Sequence, residues 1–234
     1  MSLVARMVNK IRLLAKFYWR RQKANKKGIS FLRPNYIFVG DFDSSSLLID
    51  VGCGHEAEFA LYAIEAYGCR TVGVDPTKKH EPFLTAIEEK TEGRFRYLNC
   101  AVASTNGTLT FFESTENESG SLLDNHTNVL RDHVYSYDVE AVTLRKLLEK
   151  IGVEEADFLK LDLEGAEYNL LESVDINDLS RFRQVFVEFH HHCIPDRSKQ
   201  DTEELAASLR EMGLKSFSLD DHNYLFYWPN KRDI

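Results

Sequence analysis

Four apolar runs in this chain each stop on a short polar or glycine-bearing segment. These are Asp50-Val51-Gly52-Cys53-Gly54, Asp75-Pro76, Asn99-Cys100-Ala101 and the run from Lys160 to Glu167. Short apolar runs bounded by turn signals read as buried strands, and the stretches between them carry helical spacing. That alternation predicts an α/β domain with a mostly parallel sheet, because parallel neighbours need a crossover and the crossover is normally a right-handed helix. In such a sheet, ligands bind outside the carboxyl ends of the strands. The four segments therefore predict a single crevice for a nucleotide-type ligand.

Read along the chain, the pattern predicts strands over 47–51, 71–74, 95–102, 108–112, 157–162, 184–189, 214–219 and 223–228. Helices are expected over 56–67, 80–91, 143–151, 166–174 and 201–212. Residues 113–128, rich in Ser, Asn, Glu and Gly, read as a mobile loop, and 113–138 as a lid that sets substrate specificity. Asp220-Asp221-His222 separates the two closing strands as a hairpin turn.

With 234 residues, 43% of them hydrophobic, one sizeable core is expected. The chain divides into a basic amphipathic helical extension over 1–30 and a globular domain over 31–234. Nine of the 29 basic residues lie in the first 27 positions, where there is no acidic residue. The remaining 20 face 37 acidic residues, a net charge of −17 for the body. Such a body repels a polyanion and argues against a nucleic-acid substrate. In the extension, Leu3, Val4, Met7, Val8, Ile11, Leu14, Ala15 and Tyr18 follow helical spacing. This stripe either lies on an anionic membrane surface as a peripheral contact through residues 1–27 or packs on the domain or a second subunit, as in a homo-oligomer. Lys10, Arg12 and Lys16 interrupt every apolar run, so neither an export signal nor a spanning helix is expected. Cys53, Cys69, Cys100 and Cys193 form no CxxC pair and are expected to be reduced thiols in a cytoplasmic protein.

The glycine loop leaves two cofactors open. Gly52-x-Gly54-x-x-Ala57 fits the dinucleotide fingerprint, and Asp75 follows at the distance of a ribose-binding carboxylate. That is the NAD(P)-dependent oxidoreductase reading, although no Tyr-x-x-x-Lys pair for hydride transfer is evident. Against it, a carboxylate at Asp50 would repel a pyrophosphate but attract the sulfonium and ammonium groups of S-adenosylmethionine (SAM). Asp162 and Glu164 aim further acid at the same crevice. The expected cofactor-binding residues are Asp50, Gly52, Cys53, Gly54, Asp75, Pro76, Asn99, Cys100 and Ala101.

Taken together, these residues resemble the FkbM family of SAM-dependent methyltransferases over roughly residues 47–192. The most specific element, Asp157-Phe158-Leu159-Lys160-Leu161-Asp162-Leu163-Glu164-Gly165-Ala166-Glu167, is similar to the family's D-x-x-K-x-D-x-E-G-x-E run. Val142-Thr143-Leu144 and Val187-Glu188-Phe189-His190 occupy the places of its flanking segments, and Gly120-Ser121-Leu122 is similar to its loop ending in Ser-Leu. The resemblance implies a class I, Rossmann-like methyltransferase fold, with helices on both faces of a seven-stranded, mostly parallel sheet and an antiparallel last strand. It also implies SAM as methyl donor and O-methylation of a hydroxyl on a sugar, glycolipid or other small metabolite. A SAM-binding protein without catalysis is the further alternative.

A protonated alcohol is a poor nucleophile, so a base or a metal ion is expected beside it. His190 is the expected base, with Asp162 and Glu188 as the other catalytic groups. Strand alternation puts Glu188 and His190 on one face and His191 on the other. Asp162 and Glu188 also form the expected ligand pair for Mg2+, which favours carboxylate oxygen. Ser121, Glu164 and His191 are the expected contacts to the hydroxylated acceptor, and His126, His133 and Tyr135 lie in the same lid segment.

Overall fold

The computed structural model describes residues 21–32, 36–218 and 220–229. Most of the N-terminal basic helix expected from the sequence, residues 1–20, lies outside them. Residues 21–26 are helical and lead into a hairpin of β1 (Ile29–Leu32) and β2 (Tyr36–Val39). The expected boundary between residues 30 and 31 therefore falls inside β1. There, Ile29 and Leu32 pack into the core with Ala24.

The central sheet contains β3 (Leu47–Val51), β4 (Arg70–Val74), β5 (Phe95–Leu98), β10 (Ala156–Leu161), β11 (Phe182–Glu188), β12 (Lys215–Ser218) and β13 (Asn223–Tyr227). Its order is β12-β13-β11-β10-β3-β4-β5. The pairs β10/β11, β10/β3, β3/β4 and β4/β5 are parallel, whereas β13 runs antiparallel to both β11 and β12. The order turns back on itself at β3 and β10, where consecutive crossovers leave in opposite directions. The loops after these two strands splay apart and open a crevice.

The sheet is apolar on both sides, as expected for a layer covered twice. Leu47, Ile49, Val51, Leu159, Leu161, Val185 and Val187 face α3 (Leu144–Ile151), α4 (Glu167–Ser173) and α6 (Lys199–Glu211). The short α5 (Ile176–Leu179) precedes β11. Leu48, Phe158 and Phe186 face the β1–β2 hairpin and Phe59 and Ala63 of α1 (Glu58–Tyr67). On this face Val39 N donates to Gln184 Oε1 at 2.7 Å and Gln184 Nε2 donates to Val39 O at 3.1 Å. Each bond contributes about 0.5–1.5 kcal/mol net, so the pair fixes the hairpin's register on the sheet. The fourth residue of β3, Asp50, lies on this covered side opposite Lys160. Toward the β5 edge, α2 (Glu81–Lys90) buries Leu84 against Phe95, Ala57 and Ala60.

A second sheet corrects two sequence expectations. The apolar run over 95–102 is not one strand. It ends with β5 at Leu98, and β6 (Ala101–Val102) belongs to a sheet of order β6-β9-β7-β8. The segment expected as an irregular lid, 113–138, contains the end of β7 (Gly107–Ser114), β8 (Gly120–Ser121), a 3-10 turn at Val129–Arg131 and the start of β9 (Val134–Val142). Tyr137, Val139 and Ala141 are buried at alternate positions of β9, and Tyr137 and Val139 pack with Phe111 and Ala101. Lys78 N, in the loop after β4, donates to Tyr137 Oη at 2.9 Å and to Glu113 Oε2 at 3.2 Å. These bonds hold the second sheet as a wall beside the carboxyl ends of β3 and β4.

Candidate active site

A cleft opens at those strand ends. Gly52 and Gly54 line it on one side, Asp75, Pro76, Thr77 and His80 on a second, and Asp162, Leu163 and Glu164 on a third. Cys100, Ala101, Val102, Phe111 and Leu122 supply an apolar wall.

The glycine loop is set by close approach to β10. Gly52 has φ 72, and a Cβ there would lie 1.8 Å from the Asp162 carbonyl oxygen. Only glycine lets the two loops touch. The buried Asp75 then knits the loops together. Its Oδ2 accepts from Gly54 N at 2.9 Å, its Oδ1 accepts from Thr77 N at 2.9 Å, and His80 Nδ1 stands 3.3 Å from Oδ2. Burial pushes the Asp75 carboxyl up, but His80 and the Thr77 hydrogen bonds outweigh it and hold the pKa below the ordinary value. His80 is pushed up in turn, since Asp75 and Glu118 outweigh its own burial.

Below the loops lies a buried cation that sequence reasoning did not single out. Lys160 is 3% exposed. Its Nζ lies 3.1 Å from Asp50 Oδ1 and 3.1 Å from Asp162 Oδ2, and donates to Gly52 O at 3.2 Å. Burial opposes the ammonium charge, but Asp162 and Asp50 hold it well above the usual lysine range. The D-x-x-K-x-D spacing carried this signal, because residues two apart on a strand share a face. Asp50 is thus the internal counter-ion of Lys160, and neither carboxylate oxygen is turned into the cleft. Asp50, expected to meet the cofactor, is not among the residues that line the cleft.

The third wall is strained. Glu164 has φ 47, and a Cβ on Gly165, at φ 99, would lie 2.4 Å from Ile194 Cδ1. Non-glycine residues in the left-handed region cost on the order of 1–3 kcal/mol and persist where their surroundings over-determine them. Here the determinants are Ser121 Oγ, which donates to Glu164 O at 2.7 Å, and His126 Nε2, 3.0 Å from Glu164 Oε2. His126 Nδ1 accepts from Val129 N at 3.3 Å, which places its proton on Nε2, toward Glu164. Glu164 is held below the ordinary carboxylate value, since His126 and His190 outweigh its burial.

His190 follows β11 and is 6% exposed. The fully buried Glu167 orients it. Glu167 Oε1 accepts from His190 N at 2.7 Å and lies 3.2 Å from Nδ1, while Nε2 faces Asp162 Oδ1 at 3.6 Å and Glu164 Oε2 at 3.8 Å. Burial works against its charge, but Glu167, Asp162 and Glu164 push its pKa up to about 10. The ring expected to be a base is therefore already protonated at neutral pH. Glu188 ends β11 beside the Asp162 end of β10, since Val187 pairs with Leu161. Burial and the Asp162 charge push its carboxyl up to about 7, against the pull of His190 and Lys160.

Of the expected cofactor residues, Gly52, Gly54, Asp75, Pro76, Cys100 and Ala101 line the cleft. Asp50, Cys53 and Asn99 do not. Cys53 turns inward to pack with Leu84 and Phe95, and Asn99 is exposed. Among the acceptor and catalytic residues, Asp162 and Glu164 line the cleft, and Glu188 and His190 stand behind Asp162. Ser121 is spent on the Glu164 backbone. His191 points away, with Nδ1 3.0 Å from Thr202 Oγ1 and its ring 4.8 Å from that of His222. His133 and Tyr135 are exposed, and neither lines the cleft. Asp162 and Glu188 do not fit as a magnesium pair, because Lys160 and protonated His190 already supply positive charge there. Besides Lys160, sequence reasoning missed His55, His80 and Glu118 at the cleft mouth and Glu167 behind His190. The five-residue step from Asp75 to His80 was visible, but nothing in it showed that the ring folds back.

The sheet order, the single antiparallel strand and the cleft at the β3/β10 switch define a class I methyltransferase fold. The family model described as the methyltransferase FkbM domain matches residues 24–216, and the chain belongs to that family. Among solved structures it is similar to the methyltransferase FkbM of Methylobacillus flagellatus KT, with 13% identity and a TM-score of 0.50. That match covers 81% of this chain and 45% of the other, so the chain spans less than half the length of that protein. The Methanococcus jannaschii fibrillarin pre-rRNA processing protein is similar at 13% identity and a TM-score of 0.50, over 85% of this chain and 73% of that one. No curated protein matches the chain.

Proposed function

We propose that the chain is a SAM-dependent O-methyltransferase acting on a hydroxyl of a sugar, glycolipid or other small metabolite. The observation that carries this reading is the division of the cleft. One end is apolar and closed by Asp75 and the glycine loop. At the other, Asp162 and Glu164 line the wall, with Glu188 and His190 behind Asp162. The first end fits an adenosine, with Cys100, Ala101, Val102 and Phe111 against the base and Asp75 near the sugar. Bound there, SAM supplies an electrophilic methyl group on a sulfonium.

The residues of the chain do the rest. Asp162 lines the cleft and takes the acceptor's hydroxyl proton, and Glu188 stands beside it at the end of the neighbouring strand. Glu188, pushed up to about 7, is suited to take that proton on from Asp162 at neutral pH. Protonated His190 holds Asp162 and Glu164 in place, and Glu167 fixes the ring. Positioning an acceptor oxygen in line supplies about 7–11 kcal/mol in favourable systems, and Glu164, held by Ser121 and His126, is the residue placed to orient it. The four cysteines are free and buried, which fits a cytoplasmic setting, and among the described residues no helix is long and apolar enough to cross a membrane. The basic segment over residues 1–27 suits a peripheral contact with an anionic surface, near which a glycolipid acceptor would lie.

Thermal-shift titration tests the cofactor. S-adenosylhomocysteine should raise the Tm of the wild type and not of Asp75→Ala, because a ligand that binds only the native state stabilises by mass action. Stabilisation by NAD(H) alone would overturn the reading. Mass spectrometry of hydroxylated acceptors incubated with SAM then tests transfer, with Asp162→Asn expected to abolish the 14 Da gain, about one methylene per methylation.

A further inference from the structure

We propose that His55, His80 and Glu118 form a binding site for a zinc-class divalent ion at the mouth of the cleft. The three come from separate segments: the loop after β3, the residue before α2, and the turn between β7 and β8. Their ligand atoms lie within 4.8 Å of one another. Glu118 Oε2 is 2.9 Å from His80 Nε2 and 3.1 Å from His55 Nδ1. Zinc bonds of about 2.0–2.1 Å at tetrahedral angles put neighbouring ligand atoms about 3.3 Å apart, so the two distances at Glu118 need only a slight expansion, while the two histidine nitrogens already lie within 4.8 Å of each other.

The surroundings match a metal site in a second way. His80 Nδ1 faces Asp75 Oδ2 at 3.3 Å, which leaves Nε2 as the atom turned toward His55 and Glu118. A carboxylate behind the ring is the usual orienting partner of a metal-bound histidine. Asp75 is fixed by the amides of Gly54 and Thr77, so the ring is held by the cleft's own framework. Two imidazole nitrogens and one carboxylate oxygen suit zinc and its neighbours better than magnesium, which prefers an all-oxygen shell. All three residues line the cleft, so a fourth position remains open toward it, and the exposed side chain of Glu118 gives an ion a way in. Once bound, the ion would tie the β7–β8 turn to the two loops that Asp75 already joins. The competing account is a charged His80 bridging Asp75 and Glu118 with no ion. This inference does not depend on the methyl-transfer reading.

The test uses untagged protein stripped with a chelator and exchanged into chelator-free buffer. Zn2+ is titrated in competition with a chromogenic chelator, and Tm is followed in parallel. The expected result is one ion per chain and a rise in Tm, with Co2+ giving the visible absorption of a four-coordinate site. His55→Ala and Glu118→Gln, both at accessible positions, should each weaken binding at least about tenfold while leaving the circular dichroism spectrum unchanged. The double variant His192→Ala/His222→Ala should bind as the wild type does, because it removes two members of the separate histidine cluster after β11. The proposal fails if the wild type takes up no stoichiometric zinc. It also fails if the His55 and Glu118 variants bind normally, or if the His192/His222 variant is the one that loses the ion.

Discussion

Gly52 and Asp162 touch backbone to backbone across the crevice, so closely that a single methyl group on residue 52 would fall 1.8 Å from the Asp162 carbonyl oxygen. Asp162 N also donates to Val51 O at 3.1 Å. The loop that carries the cofactor glycines and the loop that carries the acidic cluster are therefore one mechanical unit. Any displacement of one moves the other.

Gly52→Ala should consequently damage both stability and binding. The left-handed backbone alone costs on the order of 1–3 kcal/mol, and the clash forces the loops apart. Urea unfolding should show a loss of at least about 2 kcal/mol, and S-adenosylhomocysteine should no longer shift the Tm.

Lys160 should be costlier to lose. Lys160→Met leaves Asp50, 1% exposed, without its cation, and breaking a buried pair from one side costs about 3–5 kcal/mol. Asp50→Asn/Lys160→Met removes both charges and should recover part of that loss. Chemical denaturation of the two single variants and the double variant gives the coupling directly.

Glu188 sets the expected pH dependence of turnover. With Glu188 pushed up to about 7, kcat/KM should rise about tenfold per pH unit below 7 and level off above it. Glu188→Gln removes the group that titrates near 7, so the ascending limb should disappear. A limb unchanged by that substitution would remove Glu188 from the proton's path.

His190 predicts a stability profile of its own. Its folded pKa, about 10, lies above its ordinary value of 6.5, so its contribution is complete below about pH 6.5 and is lost as pH rises through about 10. Wild type should therefore lose a few kcal/mol across that window relative to His190→Gln. Urea midpoints measured from pH 6 to 10 for both proteins would show the slope in one and not the other.

Much of this was readable along the chain. The strands ending at Val51, Val74, Leu161 and Glu188 announced themselves as apolar runs stopped by acid or glycine. Their burial on both faces leaves little room for another reading. The second sheet was hidden for a local reason. In β9 the buried positions Tyr137, Val139 and Ala141 alternate with Ser136, Asp138 and Glu140, and the strand begins in exposed Val134 and Tyr135. A strand covered on one side carries half the apolar signal, and the neighbouring Ser- and Asn-rich turns masked the rest.

Covalent order alone set the class of fold and the crevice, because hydrophobic period and turn residues act over a few neighbours and are written in the chain. Partnership among charges was decided only in three dimensions. Asp50 looked like a cofactor ligand until Lys160 was found against it, and His190 looked like a base until Glu167, Asp162 and Glu164 surrounded it. His80 looked like the start of a helix until its ring was seen between Asp75 and Glu118. A side chain's protonation and its availability depend on what stands within a few ångströms, and those neighbours lie as much as 110 residues away, as from Asp50 to Lys160.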